Sequence, residues 1–467
     1  MVFSSLLFIY IFLALLLVAY FIVKNNTYRR IVLIVFSLVF YAWGEPRYVF
    51  LMIALVLADY LFGLMVAKNE KKRKKLFLVL AIVVNLGILF FFKYLGFTVG
   101  IFNGIFGWKV QTPALTMPIG ISFFTFQAMS YVIDVYRGDA KVQKKFSNLL
   151  LYVSFFPQLI AGPIVRYKDI EMQLDSRQVS LSDFGDGVFR FSIGLAKKVL
   201  IADSCAMVVS SLYGLTDATF VGRWAGAVFF TLQLYFDFSG YSDMAIGLGR
   251  MFGFKFNENF NYPLVSTSAT DFWRRWHISL GTFFRDYVYI PLGGNRRFQI
   301  RNIFIVWFLT GLWHGASWNF ILWGVFYGIL LFIEKKFLLK AFERMPKITS
   351  AVISRIYTIF ITVFGFAIFY FDTDLWKNLG YLFGVGVKGF TDLFTNSVLL
   401  GNIILFALAV FFAIPVMKKF FDKYVEGGQI PYTVARTAKT LIIIALVAIC
   451  TVRMVGDTYS PFLYFRF

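Results

Sequence analysis

The sequence predicts an all-α, polytopic membrane protein, and three observations carry that prediction. Apolar stretches long enough to span about 30 Å of hydrocarbon recur along all 467 residues. The chain is 59% hydrophobic and only 15% charged, where soluble domains carry about 25% charged residues. Its basic residues gather in short loops between apolar runs, as in KNEKKRKK at Lys68–Lys75, which is how loops facing anionic cytoplasmic lipid are composed. The runs are continuous and do not alternate, which argues against a transmembrane barrel. The net charge of +21 would point to nucleic acid in a soluble chain. Here it is assigned to membrane lipid, and no nucleic-acid partner is expected.

Taken in order, candidate spans fall at 2–23, 31–44, 49–67, 76–98, 118–136, 146–163, 186–213, 222–250, 302–333, 353–372, 397–417 and 436–454. The first, Val2 to Val23, has no basic leader and no small-residue cleavage pattern, so it reads as a retained helix and not a signal peptide. Basic loops at Lys24–Arg30, Lys68–Lys75 and Arg137–Lys145 follow every second span, while Gly44–Arg47 is short and nearly neutral. That asymmetry sets the N-terminus outside and the basic loops in the cytoplasm.

The centre is different. Residues 157–185 and 251–301 are rich in Pro, Gly, Arg and Asp yet lie between apolar runs. Irregular backbone is tolerated at membrane depth only when buried in protein or lining a wet cavity. The run 302–333 is too long for one straight span and is interrupted by Gly311, Gly315 and Gly324. Residues 118–333 therefore read as a catalytic core with re-entrant or tilted segments. Residues 1–117 and 334–467 read as flanking helices, all within a single integral domain. Cys205 and Cys450 give neither a disulfide framework nor metal-ligand spacing. No internal repeat is visible, which weakens a transporter built on inverted halves.

Polar residues of the core form four clusters. Pro157–Tyr167 (PQLIAGPIVRY) holds two prolines and a glycine that forbid a regular helix, freeing backbone groups to line a pocket; a bare interfacial loop is the plainer reading. In Tyr235–Asp243 (YFDFSGYSD), Asp237 and Asp243 at this depth must be protonated or paired. Asp243 shares a helix face with Ser239 closely enough for a local hydrogen bond. A salt bridge from these acids to an arginine of the next segment would make them structural.

In the third cluster, DFWRRWHISL at 271–280, Trp273, Trp276 and Leu280 fall at helical spacing, the pattern of an interface-lying amphipathic helix. Arg274, Arg275, Arg285, Arg296 and Arg297 form a cationic patch suited to lipid phosphate or to the phosphates of a nucleotide-bearing acyl donor.

The fourth cluster, Trp313–Asn319 (WHGASWN), holds His314, one of only two histidines in the chain; His277 is the other. An ionisable side chain at membrane depth costs several kcal/mol, roughly 3 or more, and marks function by default. Thr310, four residues before His314, shares its face, whereas Asn319 does not. Gly315 permits close approach of a substrate or another backbone. A neutral imidazole is matched to removing a proton from a hydroxyl, so the chemistry fits acyl transfer. No Gly-x-Ser-x-Gly elbow points to a covalent serine intermediate.

Together PQLIAGPIVRY, YFDFSGYSDMAIGLG, NENFNYP, DFWRRWHISL, FRDYVYIPLGGNR, GLWHGASWNFILWG and the terminal PFLYFRF closely resemble the bacterial membrane-bound O-acyltransferases of the alginate O-acetyltransferase type. The resemblance is dense from about 118 to 330. It implies about eleven transmembrane helices plus re-entrant segments around a tunnel through the bilayer of the bacterial inner membrane. It implies that His314 is the catalytic histidine and His277 the second characteristic one. It implies a cytoplasmic acetyl-CoA donor, with no permanently bound cofactor and no metal, and a secreted or periplasmic serine-esterase-like acetyltransferase as partner. Gln158, Asp237, Ser239, Tyr241, Asp243, Arg274, Arg275, Trp313 and Asn319 become the candidates to line the donor path. The stretch IPLGGNR looks like the polysaccharide-acetylating branch and not the teichoic acid D-alanylating one; peptidoglycan O-acetylation stays open. A transporter or flippase using Asp237 and Asp243 in a proton relay is the reading from another class. A scaffold for polysaccharide export is a third, and it leaves both histidines unexplained.

Overall fold

An apolar segment with no water around it satisfies its backbone only within itself, so the long runs become helices. In the computed structural model, which describes residues 1–113, 116–215, 217–427, 430–456 and 462–463, helices dominate. Among these residues the strand-like content is one isolated bridge, Thr219 to Gly389. Of the terminal PFLYFRF, only Phe462 and Leu463 fall within the described residues.

The helices in chain order are α1 (Leu7–Phe21), α2 (Asn26–Ala42), α3 (Tyr48–Lys68), α4 (Lys71–Phe106), α5 (Ile121–Arg137), α6 (Phe146–Ser154) and α7 (Tyr167–Asp175). Leu181–Ala196, Lys197–Ala202 and Asp203–Tyr213 run on as α8, with a π-helical turn in the middle, and α9 is Phe220–Met251. Then come α10 (Ala269–Arg275), α11 (Ile278–Phe284), α12 (Gln299–His314), α13 (Trp318–Ile333), α14 (Lys347–Tyr370), α15 (Leu375–Leu382), α16 (Leu393–Gly401), α17 (Ile403–Ala413) and α18 (Tyr432–Gly456). Caps set several boundaries. Asn25 Oδ1 accepts from the N–H groups of Thr27 and Tyr28 at 2.8 and 3.1 Å to start α2, and Gly138, at φ 79°, ends α5.

Four helices, α3, α4, α14 and α18, are long and apolar enough to cross a membrane among the described residues. The pair α16–α17, bent by 54°, makes a fifth if counted as one span. Large apolar side chains point outward from them, Val83 at 60% and Val452 at 74% exposure. A surface this apolar is one that lipid wets. The chain is an all-helical, multi-pass membrane protein.

Three expected spans are broken in the structure, one of them 397–417, which is the bent pair α16–α17. The run 146–163 stops at Ser154, continues only as the turn Phe156–Leu159, and then loses helical form. Pro157, Gly162 and Pro163 account for this. The run 302–333 divides at Gly315–Ser317 into α12 and α13, which fold back on each other. Gly311 and Gly324 do not interrupt either helix. They are where the backbones meet: a Cβ on Gly311 would lie 2.3 Å from the Phe320 carbonyl oxygen, and one on Gly324 2.4 Å from that of Trp307. In a lipid-solvated fold such small-residue contact is a main source of helix association.

The chain divides into two compact units. The first comprises Met1–Phe191 and Tyr241–Asn257 with Phe462 and Leu463. Its centre is α5, buried from Ile121 to Val135. Some polar groups there pair internally: Tyr152 donates to the Val165 carbonyl at 2.8 Å, and Ser130 donates to that of Gln127 at 2.8 Å, whereas the Gln127 amide and the Thr125 hydroxyl are buried without a hydrogen-bond partner among the described residues. The second unit comprises Ser192–Gly240 and Glu258–Gly456. In it Ala269, Ile303, Leu331 and Ile361 form a core that packs α10 against α12, α13 and α14. Glu334, fully buried, accepts hydrogen bonds from the Thr270 N–H at 2.9 Å and hydroxyl at 2.8 Å, and from the Ala269 N–H. One carboxylate thus caps α10 and complements the positive end of its dipole.

Candidate active site

The site assembles around the end of α12. His314 is the last residue of that helix, and Gly315 follows in extended backbone, φ −173°. Extended backbone does not require glycine. The Phe320 ring does, since a Cβ on Gly315 would meet it at 2.3 Å. Gly315 therefore makes room for an aromatic ring of α13 and not, as expected, for substrate or backbone. The His314 ring is 4% exposed and sits 5.1 Å from each of Trp313, Trp323 and Phe369, centroid to centroid.

His277 arrives from a different element. The expected amphipathic helix through Trp273, Trp276 and Leu280 is not formed: α10 ends at Arg275, Trp276 is extended, and His277 takes left-handed backbone, φ 46° and ψ 51°, before α11 begins. A non-glycine residue held there costs about 1–3 kcal/mol and persists only where its surroundings impose it. Here two backbone hydrogen bonds do so: the Asn261 N–H donates to Arg275 O at 2.9 Å and the Ile278 N–H to Asn259 O at 3.0 Å. The kink turns Trp276 and Leu280 inward, to 3% and 4% exposure, and not onto a membrane surface.

Both histidines border one cavity of about 170 Å³. Trp273, Trp276, Leu280, Phe284, Trp307 and Thr310 supply its apolar walls, and Arg285 and Tyr289 its polar side. Trp313 lies between the imidazoles, 5.8 Å from the His277 ring and 5.1 Å from that of His314. Residues that are 37 apart in sequence and carry the chain's only imidazoles thus converge on one small space. Such a chamber suits proton transfer in a water-poor setting.

Residues 140–373 match the model of MBOAT, the membrane-bound O-acyltransferase family. The chain belongs to that family. It is 38% identical to a probable alginate O-acetylase of Azotobacter vinelandii, over the full length of both chains. It is 37% identical to a peptidoglycan O-acetyltransferase of Helicobacter pylori, over 76% of this chain and 75% of the relative. A teichoic acid D-alanyltransferase of Bacillus subtilis is 29% identical over 54% of this chain and 68% of its own. The protein is an O-acyltransferase.

Within the acyltransferase the other sequence candidates have defined surroundings. Asp237 pairs with Lys198 at 2.8 Å, and Lys198 also reaches Asp203 at 2.8 Å. Asp243 pairs with Arg190 at 2.6 Å. The acids are therefore matched by bases of the preceding helix α8, and not by arginines of the following segment. The Ser239 hydroxyl makes no hydrogen bond among the described residues, so the expected bond to Asp243 is absent. Tyr241 and Gln158 belong to the first unit: Tyr241 stacks on Phe3 and Phe462, each at 4.7 Å, and the Gln158 amide donates to the Tyr152 carbonyl. Arg275 pairs with Asp271 at 2.8 Å, and Arg274 is exposed. Asn319 donates to the Phe369 carbonyl at 2.9 Å, tying the start of α13 to the end of α14.

Four residues at the histidines were not singled out from sequence, and one is Trp323, 5.1 Å from the His314 ring. Phe238 touches the His277 ring at 4.7 Å, Phe369 touches His314, and Asn259 hydrogen-bonds His277. Asn259 lies in the NENFNYP motif, which is a signal of kinship and not of contact; Phe238 lies within the Tyr235–Asp243 cluster, where the acids drew the reading, and Phe369 is one of 60 phenylalanines with no distinguishing pattern around it.

Proposed function

We propose that this chain takes acetyl groups from cytoplasmic acetyl-CoA and delivers them for O-acetylation of an extracytoplasmic polysaccharide such as alginate. The observation that carries the reading is the shared cavity, bordered by the chain's only two imidazoles. Its volume of about 170 Å³ corresponds to roughly five water-sized groups, which suits a two-carbon acyl group better than a lipid chain.

In this reading His314 is the general base. It takes the proton of the acceptor hydroxyl as that oxygen attacks the thioester carbonyl. The C–O ester bond forms, the C–S bond breaks, and the thiolate leaves and recovers the proton. General-base catalysis of this kind contributes about 10²–10⁴-fold. His277 works on the same acyl group or its donor. Arg285, at the cavity, and the exposed Arg274 offer positive charge to donor phosphates. The proposal includes about eleven spans in a bacterial inner membrane and a passage open to both sides. It also includes a secreted, serine-esterase-like partner that hands the acetyl group to the polymer.

The test is replacement of His314 by Ala and by Gln, followed by membrane abundance and transfer of label from acetyl-CoA in the presence of the partner. Abundance stays normal and transfer is lost. Transfer retained in either variant removes the general-base assignment. The kinship with the Helicobacter pylori peptidoglycan O-acetyltransferase supports peptidoglycan as the second candidate polymer. Ester-linked acetate measured on each polymer in a deletion strain chooses between them.

A further inference from the structure

We infer that Asn259 is a positioning residue that holds His277 with its proton on Nδ1, so that His277 meets the acyl-transfer site as a hydrogen-bond acceptor at Nε2 and not as a hydrogen-bond donor to the thioester carbonyl. The inference deepens the reading above and rests on it for the role in transfer, but the tautomer itself does not.

The backbone N–H of Ser279 can only donate, and it lies 3.1 Å from Asn259 Oδ1. The atom there is therefore the amide oxygen and not the nitrogen, which settles an orientation otherwise open to a flip. The Ser279 hydroxyl also approaches that oxygen, at 2.9 Å, and donates to it. His277 Nδ1 lies 3.2 Å from the same oxygen. A bare ring nitrogen at that distance would set lone pair against lone pair, so Nδ1 carries the proton and donates.

A rival arrangement involves Ser279. Ser279 Oγ is 3.4 Å from His277 Nδ1 and, rotated, its proton would point at an unprotonated Nδ1. That choice gives up the shorter bond to Asn259 for a longer one and leaves the nitrogen facing the amide oxygen. The geometry favours a proton on Nδ1.

In a neutral imidazole one nitrogen is then committed as donor and the other is the acceptor. Nε2 is the nitrogen left to accept. A neutral His277 cannot offer a hydrogen from Nε2 to a carbonyl or to the oxyanion that forms from it. It can accept a hydrogen bond there, with Asn259 Oδ1 holding the ring in that tautomer through Nδ1–H as an orienting acceptor does, while the proton of the acceptor hydroxyl goes to His314. The backbone agrees with this role. Asn259 also accepts the Ile278 N–H through its carbonyl, and its side chain meets the Ser279 N–H at the start of α11. A single residue thus holds the turn, the ring and the tautomer.

The full-length protein, reconstituted in nanodiscs with ¹⁵N-labelled histidine, gives two imidazole signal sets, and His277→Gln removes one and assigns it. Two-bond ¹H–¹⁵N correlations at neutral pH are expected to show His277 protonated at Nδ1. In Asn259→Ala the preference is lost, and label transfer from acetyl-CoA falls by about 10²-fold or more. In Asn259→Asp the acceptor is kept and a negative charge is added beside the ring. Imidazolium is then favoured, and the acid limb of the transfer–pH profile moves up by about one pH unit.

A wild-type spectrum with the His277 proton on Nε2 overturns the inference, whether or not the Asn259 variants fold. An unmoved acid limb in a folded Asn259→Asp overturns the acceptor role. If no acyl transfer is found at all, the proposed function fails while the spectrum still decides the tautomer.

Discussion

Replacing Gly311 by alanine tests the packing that sets His314 in place. The new Cβ would fall 2.3 Å from the Phe320 carbonyl oxygen, 3.2 Å from its carbon and 3.5 Å from Gly324 Cα. These are backbone atoms of a helix and do not rotate away. Restoring an ordinary contact of 3.4 Å requires α12 and α13 to part by about 1 Å. Overpacking of this kind costs about 1–3 kcal/mol. His314, the proposed general base, lies one turn further along α12, and a displacement near 1 Å at a reacting group costs about 10²-fold in rate. Gly324→Ala meets the Trp307 carbonyl at 2.4 Å and has the same expectation. Gly87→Ala in α4 is the control: nothing lies within 4 Å of its Cβ, and alanine there is neutral or stabilising by up to about 1 kcal/mol. The assay is the thermal midpoint of purified protein together with acetyl transfer. Wild-type midpoint and rate in Gly311→Ala would refute the claim that close helix approach positions the histidine.

Further outcomes follow from buried charge. Lys198→Met strands two carboxylates, one of them, Asp237, 1% exposed; removing one partner of a buried pair costs about 3–5 kcal/mol. Membrane abundance by immunoblot falls, and adding Asp237→Asn with Asp203→Asn restores it. Glu334→Ala leaves two N–H groups and a hydroxyl at the start of α10 without their acceptor, at a cost of about 2 kcal/mol or more. Glu334→Gln keeps one acceptor oxygen and loses less. Thermal midpoints of the two variants, compared with wild type, check the order.

Much of the helical content is readable in the chain because hydropathy is a local property. The expected spans 49–67 and 118–136 lie within a few residues of α3 and α5, since hydrocarbon thickness and backbone satisfaction leave no other solution. The prolines of 157–163 announced an irregular segment. What failed were inferences of face and partner. Helical spacing put Trp273, Trp276 and Leu280 on one stripe, but a single left-handed residue, His277, ended the helix between them. Spacing likewise paired Asp243 with Ser239, while a guanidinium 53 residues away took the carboxylate.

The candidate site residues were legible for a related reason. Two histidines in a chain this apolar stand out, because burying an ionisable group in a membrane is costly unless it has a use. Family, helical class and the two imidazoles were therefore determined by the sequence alone. That those imidazoles border the same 170 Å³, that Gly315 yields to Phe320, and that Asn259 selects a ring nitrogen were decided only by the tertiary structure. Each depends on distances between segments far apart in the chain, and such distances follow from how whole helices pack, which no window of residues encodes.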